Sequence, residues 1–286
     1  MALTLPHGFK RWPDLADVHA QQVLLAQEWR GQQAFQNHWI QHTRTPRMAG
    51  FCIACASERE FTVDLVKGQT PNWRESMTCS GCGLINRWRA SLHVAALLEA
   101  VRPPGPIYLT EGTTPLHRWL ADRIPGLIAS EFVRPGLRSG EVVQWQGQSV
   151  RHEDITRLSM TDASLSMIQT YDVLEHVPTY REAIAEFART LMPGGILLLT
   201  APFLAESCDT VTRARLLPDG SIEHLLPPMY HGDPMSDQGI LCFHEFGWDL
   251  LDVMREAGFE RTEVWTCWAP DFGYLGSFQP FVIAWR

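Results

Sequence analysis

The run Tyr171-Asp172-Val173-Leu174-Glu175-His176-Val177-Pro178, continued by Leu191-Met192-Pro193-Gly194-Gly195-Ile196-Leu197-Leu198-Leu199-Thr200-Ala201-Pro202, carries the clearest structural signal in the chain. The first part closes an apolar, β-type segment that starts near Ser164. Residues 180–191 then place Ile184, Phe187, Ala188 and Leu191 at i, i+3, i+4 and i+7, which predicts an amphipathic helix. Pro193-Gly194-Gly195 stops that helix, and residues 196–200 read as a buried strand. Strand, helix and strand in this order predict a parallel βαβ unit.

The same alternation extends upstream. Ile107-Tyr108-Leu109-Thr110-Glu111 reads as a strand, residues 117–123 as a helix and Leu127-Ile128-Ala129-Ser130-Glu131-Phe132-Val133 as another strand. The prediction is an α/β fold with a mainly parallel sheet and helices on both faces. Downstream, residues 203–246 hold Pro, Gly, His and Asp with little periodicity. They are expected to form an irregular, lid-like insertion over the carboxyl edge of the sheet. A helix over residues 247–257 and β-type segments at 262–268 and 281–285 complete the chain.

The quoted motif, its helix and the following strand resemble the fourth strand, helix and fifth strand of class I S-adenosylmethionine-dependent methyltransferases, particularly those acting on small molecules. The resemblance covers about residues 105–286. It implies a Rossmann-like, seven-stranded, mainly parallel sheet with S-adenosylmethionine across the carboxyl ends of its first strands. On this resemblance Glu111, Gly112 and Thr113 fall in the loop after the first strand, where an acid attracts the cationic methionine end and a small residue allows close backbone approach. Glu131, followed by Phe132, matches the acid that pairs with both ribose hydroxyls, a bidentate fit. Asp154 and Ile155 match the residues at the adenine, and Asp172, Leu174 and Glu175 line the end of the fourth strand. The loop has one glycine and Pro115 where the family has several glycines.

Methyl transfer from a sulfonium is an in-line displacement, so the main demand on the protein is positioning. A base helps when the acceptor is a hydroxyl or an acidic carbon, and histidine suits near-neutral pH. His176, placed near the reacting methyl by the resemblance, is the first candidate. Tyr230, His231 and His244 of the insertion are the others. Phe203, Tyr230, Phe243, Phe246, Trp248, Trp268, Phe272 and Tyr274 suggest a partly apolar acceptor pocket, with several of them expected in the core.

Ahead of this domain, Cys52-Ile53-Ala54-Cys55 and Cys79-Ser80-Gly81-Cys82-Gly83 form two CxxC pairs. Paired thiolates at this spacing predict a closed, tetrahedral, structural zinc site on Cys52, Cys55, Cys79 and Cys82, and a glycine after the second pair relieves the backbone. Residues 14–42 carry Val18, Leu25 and Trp29 at helical spacing. The expected division is a helical segment over 1–48, a zinc-ribbon-like module over 49–90, and a methyltransferase domain over 91–286.

With a net charge of -8 and lysine only at Lys10 and Lys67, no lysine-rich footprint for a phosphate backbone exists, so nucleic acid is disfavoured as a partner and a small molecule favoured. The chain shows no apolar run long enough to span a membrane and no secretory h-region, so a cytoplasmic enzyme is expected. Oligomeric state is not legible. Three alternatives stay open: an RNA methyltransferase that grips RNA through Arg74, Arg87, Trp88 and Arg89, an inactive scaffold with the same fold, and transfer of another group from a relative of the cofactor. The layout is similar to that of some sugar-nucleotide methyltransferases, so a sugar-nucleotide or secondary metabolite is a candidate acceptor.

Overall fold

Seven strands form the central sheet of the computed structural model: β1 (Phe9–Trp12), β2 (Ile107–Leu109), β3 (Ile128–Ala129), β4 (Leu165–Tyr171), β5 (Leu191–Thr200), β6 (Arg261–Cys267) and β7 (Pro280–Trp285). Their order is β1-β6-β7-β5-β4-β2-β3. The pairs β2–β3, β2–β4 and β4–β5 are parallel, whereas β5–β7 and β1–β6 are antiparallel. This is the mixed α/β fold expected from the sequence. The structure describes residues 3–42, 47–65, 70–233 and 236–286, so Lys67 and Pro234 lie outside the described residues. Two compact units make up the chain: Met1–Val101 with Val264–Phe281, and Arg102–Glu263 with Val282–Arg286.

In the second unit β4 is buried along its whole length. Its polar residues are satisfied within the unit: Tyr171 Oη donates to Gln169 Oε1 at 3.0 Å, and Thr110 Oγ1 donates to Thr170 Oγ1 at 2.9 Å. The helix Tyr180–Thr190 buries Ile184, Phe187 and Ala188 as its apolar stripe requires. Leu191 opens β5 instead of closing the helix, and the register with β4 shifts between Leu191 and Ile196. The Pro-Gly-Gly stop is therefore a β-bulge. Gly194 takes a φ of 76°, and a side chain on Gly195 would sit 2.8 Å from the Met192 carbonyl oxygen.

The insertion is more regular than expected. Val211–Thr212 pairs with His244–Glu245, Ala214–Leu216 with Ile222–His224, and Tyr230–Asp233 with Ser236–Leu241, all antiparallel. Four of these strands have only two or three residues, too few to display an alternation, which is why the sequence carried no period there. A further hairpin, Val142–Trp145 with Gln148–Arg151, turns through Gln146 and Gly147, both at positive φ.

In the first unit, Arg47–Cys52, Ser57–Thr62 and Thr78–Cys79 form a three-stranded antiparallel sheet. Helices α1 (Leu15–Ala20) and α2 (Gln22–His42) occupy the polar N-terminal stretch, and β1 precedes them where no strand was expected. Only Phe9 and Trp12 of β1 are buried, a spacing that gives no period-2 signal.

Candidate methyltransferase site

Glu111, Glu131 and Asp172 sit at the carboxyl ends of the parallel strands β2, β3 and β4 in the second unit, whereas Asp154 follows the strand Gln148–Arg151 of an antiparallel hairpin. After β2, Glu111 is buried and accepts Thr114 Oγ1 at 3.0 Å, while Thr114 caps the short helix Pro115–Ala121. A side chain on Gly112 would meet the Ser130 backbone at 3.1 Å, so the single glycine of the loop is where two strand ends approach most closely. Glu131, after β3, holds this loop: its Oε1 accepts Gly112 N at 3.0 Å, Thr113 N at 3.1 Å and Thr113 Oγ1 at 2.8 Å. Phe132 is exposed, with its ring 5.2 Å from that of His152.

Asp154 Oδ1 accepts the backbone N–H of Thr156 at 2.9 Å and its hydroxyl at 2.7 Å, a local turn cap, and Ile155 beside it is buried. Asp172 ends β4 at a φ of 54°, a left-handed conformation that is uncommon for a residue with a side chain. Two bonds to Thr200 keep it there: Asp172 N donates to the Thr200 carbonyl at 2.8 Å, and Thr200 Oγ1 donates to Asp172 Oδ1 at 2.9 Å. Strain held this way at a strand end aims a side chain outward from the sheet. Leu174 is fully buried beneath it.

Next along the chain, Glu175 is fully buried, and its Oε1 faces His176 Nε2 at 3.6 Å and His231 Nδ1 at 3.4 Å. Burial pushes the Glu175 carboxyl up, opposed by His231. His176 Nδ1 lies 2.9 Å from the Leu241 carbonyl oxygen, which can only accept, so this nitrogen carries the proton and Nε2 is the free lone pair. The two imidazoles meet edge to face at 5.0 Å. The other candidate bases are placed differently. His244 is buried against Tyr180 with Nε2 3.2 Å from the Pro178 carbonyl, and burial lowers its pKa. Tyr230 is 57% exposed on the hairpin that carries His231.

Sequence reading missed the Leu241 carbonyl that orients His176, and also Cys242, whose buried thiol is pushed up to about 11 by burial and then by the charge of Glu175. Neither leaves a spacing signature. A pocket lined by Asp162, Arg189, Pro193 and Arg286 lies at the amino-terminal end of β5, opposite to these acids.

In the first unit, Cys52, Cys55, Cys79 and Cys82 converge, with Cys52 Sγ 3.8 Å from Cys82 Sγ and Cys55 Sγ 3.9 Å from Cys79 Sγ. Sulfurs on a tetrahedron with metal bonds of about 2.3 Å would be separated by about 3.8 Å, so the donor set fits zinc. The Cys82 thiol holds Cys52 down at about 5, while Cys82 is pushed up in return. Gly83 takes a φ of 72°, as a knuckle turn needs, and a side chain on Gly81 would lie 2.5 Å from Arg59 Nε and 3.0 Å from Cys55 Sγ. Arg89 is fully buried and donates to the carbonyls of Leu84, Phe272, Met77 and Gly273. Arg74 and Arg87 both pair with Glu75.

Residues 112–199 match the family described as a methyltransferase domain. Over 115 residues the chain is 29% identical to an uncharacterized methyltransferase of Mycobacterium tuberculosis, covering 38% of this chain and 58% of that relative's length. A probable S-adenosylmethionine-dependent methyltransferase of Mycolicibacterium smegmatis is 32% identical over 83 residues, 29% of this chain and 31% of that one. Among solved structures, an S-adenosylmethionine-dependent methyltransferase from Mesorhizobium loti is similar at a TM-score of 0.43 and 14% identity, covering 72% of this chain and 100% of its own. A cofactor-bound amino pentose methyltransferase from Micromonospora echinaspora gives 0.42 and 18%, covering 70% and 93%. Among the described residues no helix is long and apolar enough to cross a membrane. The matched segment, residues 112–199, runs from the loop after β2 to β5 through the parallel β3-β2-β4-β5 core, so this part of the chain is similar to a methyltransferase domain.

Proposed function

We propose that the chain transfers a methyl group from S-adenosylmethionine to a small-molecule acceptor, with a sugar-nucleotide or secondary metabolite as the candidate class. The observation that carries this reading is the series Glu111, Glu131 and Asp172 at successive strand ends of a domain that matches methyltransferases. S-adenosylmethionine supplies an electrophilic methyl on a sulfonium, open to in-line attack. Glu111 and the amides of Gly112 and Thr113 would receive the amino-acid end, Glu131 the ribose hydroxyls, and Asp154 with Ile155 the adenine. Asp172 and Leu174 would line the reacting end. The acids suit a cationic ligand, and the Gly112 loop suits close backbone approach.

The Glu175, His176 and His231 cluster is where the acceptor's proton would be handled. His231, with 31% of its side chain exposed and Nδ1 facing Glu175, is the more accessible base; His176 and His244 are more deeply buried. The exposed apolar residues Leu216, Leu217, Ile222, Leu225, Leu226 and Tyr230 on the insertion support its role as an acceptor-binding lid. The four cysteines would hold a structural zinc ion. The internal pairing of Arg74, Arg87 and Arg89 supports a clip over an RNA grip.

A second reading, a scaffold of the same fold without cofactor, draws on one observation: Glu131 Oε1 already accepts three donors from the loop after β2. Incubation with methyl-labelled S-adenosylmethionine, against a small-molecule extract and against total RNA in parallel, separates the readings. Label in the small-molecule fraction is expected. Label in RNA would replace the acceptor class, and label in neither would favour the scaffold.

A further inference from the structure

We propose that Glu175, His176 and His231 form a binding site for a divalent first-row transition-metal ion, separate from the four-cysteine site.

The ligand atoms of these three residues all lie within 4.8 Å of one another. Glu175 Oε1 stands 3.6 Å from His176 Nε2 and 3.4 Å from His231 Nδ1. These separations are long for hydrogen bonds but match the edges of a coordination tetrahedron. Metal–nitrogen and metal–oxygen bonds of about 2.1 Å place neighbouring ligands about 3.4 Å apart.

The second observation is the carboxylate itself. Glu175 is fully buried, and neither of its oxygens has a hydrogen-bond partner among the described residues. Native structures rarely leave both oxygens of a buried carboxylate without a hydrogen bond, and a bound ion is one of the standard reasons for such a group. The imidazoles have the preparation that metal-binding histidines receive. The Leu241 carbonyl fixes the proton of His176 on Nδ1 and leaves the Nε2 lone pair facing Glu175. Cys242 does not compete, because its thiol donates to the His244 carbonyl at 3.1 Å.

Two imidazoles and one carboxylate select a borderline divalent ion such as zinc, manganese or ferrous iron, and three protein ligands leave positions open for an outside oxygen. The ligands come from the short helical turn Leu174–His176 after β4 and from the hairpin strand Tyr230–Asp233, so the ion would tie the insertion to the strand-end edge. Its use in lowering the pKa of an acceptor hydroxyl rests on the methyl-transfer reading, but its binding does not.

The test uses the full chain, stripped with chelator, reloaded with zinc and desalted before elemental analysis, beside His231→Ala, Glu175→Gln and Cys82→Ser. Wild type should hold about one equivalent of zinc more than His231→Ala or Glu175→Gln. Manganese binding, read as loss of the free-ion electron paramagnetic resonance signal, should vanish in His231→Ala and persist in Cys82→Ser, since thiolates are poor manganese ligands. His231 lies on a partly exposed hairpin, so its alanine variant keeps the test usable if Glu175→Gln misfolds. Equal zinc in wild type and His231→Ala, with no manganese bound by either, would overturn the proposal and leave a buried acid–imidazole pair. Neither readout involves S-adenosylmethionine, so failure of the metal site and failure of the methyl-transfer reading are distinguishable.

Discussion

Replacing Glu131 with alanine deletes the acceptor for three donors of the loop after β2: Gly112 N, Thr113 N and Thr113 Oγ1. Hydrogen bonds to a charged group contribute about 1.5–3 kcal/mol each when buried. Glu131 is half-buried, so water recovers much of that, and a net loss of about 2 kcal/mol is expected. In a domain of this size that lowers Tm by about 4–8 °C. Glu131→Gln keeps a neutral acceptor of the same shape and should lose about half as much, because charge assistance roughly doubles a hydrogen bond. Urea unfolding of the three proteins, followed by fluorescence, reads the difference in midpoint at constant slope. If alanine and wild type unfold at the same midpoint, or if glutamine is as damaging as alanine, Glu131 does not organise this loop.

Cys82→Ser should bind less zinc than wild type and expose the first unit to proteolysis, with elemental analysis and limited trypsin digestion as the readouts. Phe187→Ala, at a fully buried position on the helix Tyr180–Thr190, should cost about 3–5 kcal/mol in chemical unfolding; a loss under about 1 kcal/mol would contradict the packing. His93 is packed against Phe9 and Phe272, and burial holds its pKa down at about 4 against 6.5. The unfolded chain therefore binds the proton first as pH falls: the stabilisation is present above about pH 6.5 and is lost as pH drops toward 4, about 3 kcal/mol in all. His93→Phe should flatten that window in a series of unfolding curves, and an unchanged pH dependence would count against a neutral, buried His93.

The parts of the fold that were legible are those where burial imposes a period. The stripe Ile184, Phe187, Ala188 and the run Ile196 to Thr200 face the core, so their spacing announces helix and strand. The insertion ribbons were not legible, since segments such as Ala214–Leu216 span three residues, with Ala214 buried beside Leu241 and Phe243 and the other two exposed, too short a run to show alternation. β1 escaped notice for a related reason: four residues with only two buried contain no alternation to detect. Within the site, the order of acids along the chain could be read, but not their partners. That Glu131 turns to the loop after β2, that Asp154 caps Thr156, and that Thr200 holds Asp172 all depend on contacts that leave no spacing in the sequence. His176 and His231 were singled out separately. Their meeting over Glu175 needed the fold, because they belong to different elements distant along the chain.

The central claim, that the strand-end acids hold S-adenosylmethionine, is tested most directly by calorimetric titration of the purified full chain with S-adenosylhomocysteine. The account predicts saturable binding at a single site, abolished in Glu131→Ala under conditions where that variant remains folded. Absence of binding by the folded wild-type chain would contradict it.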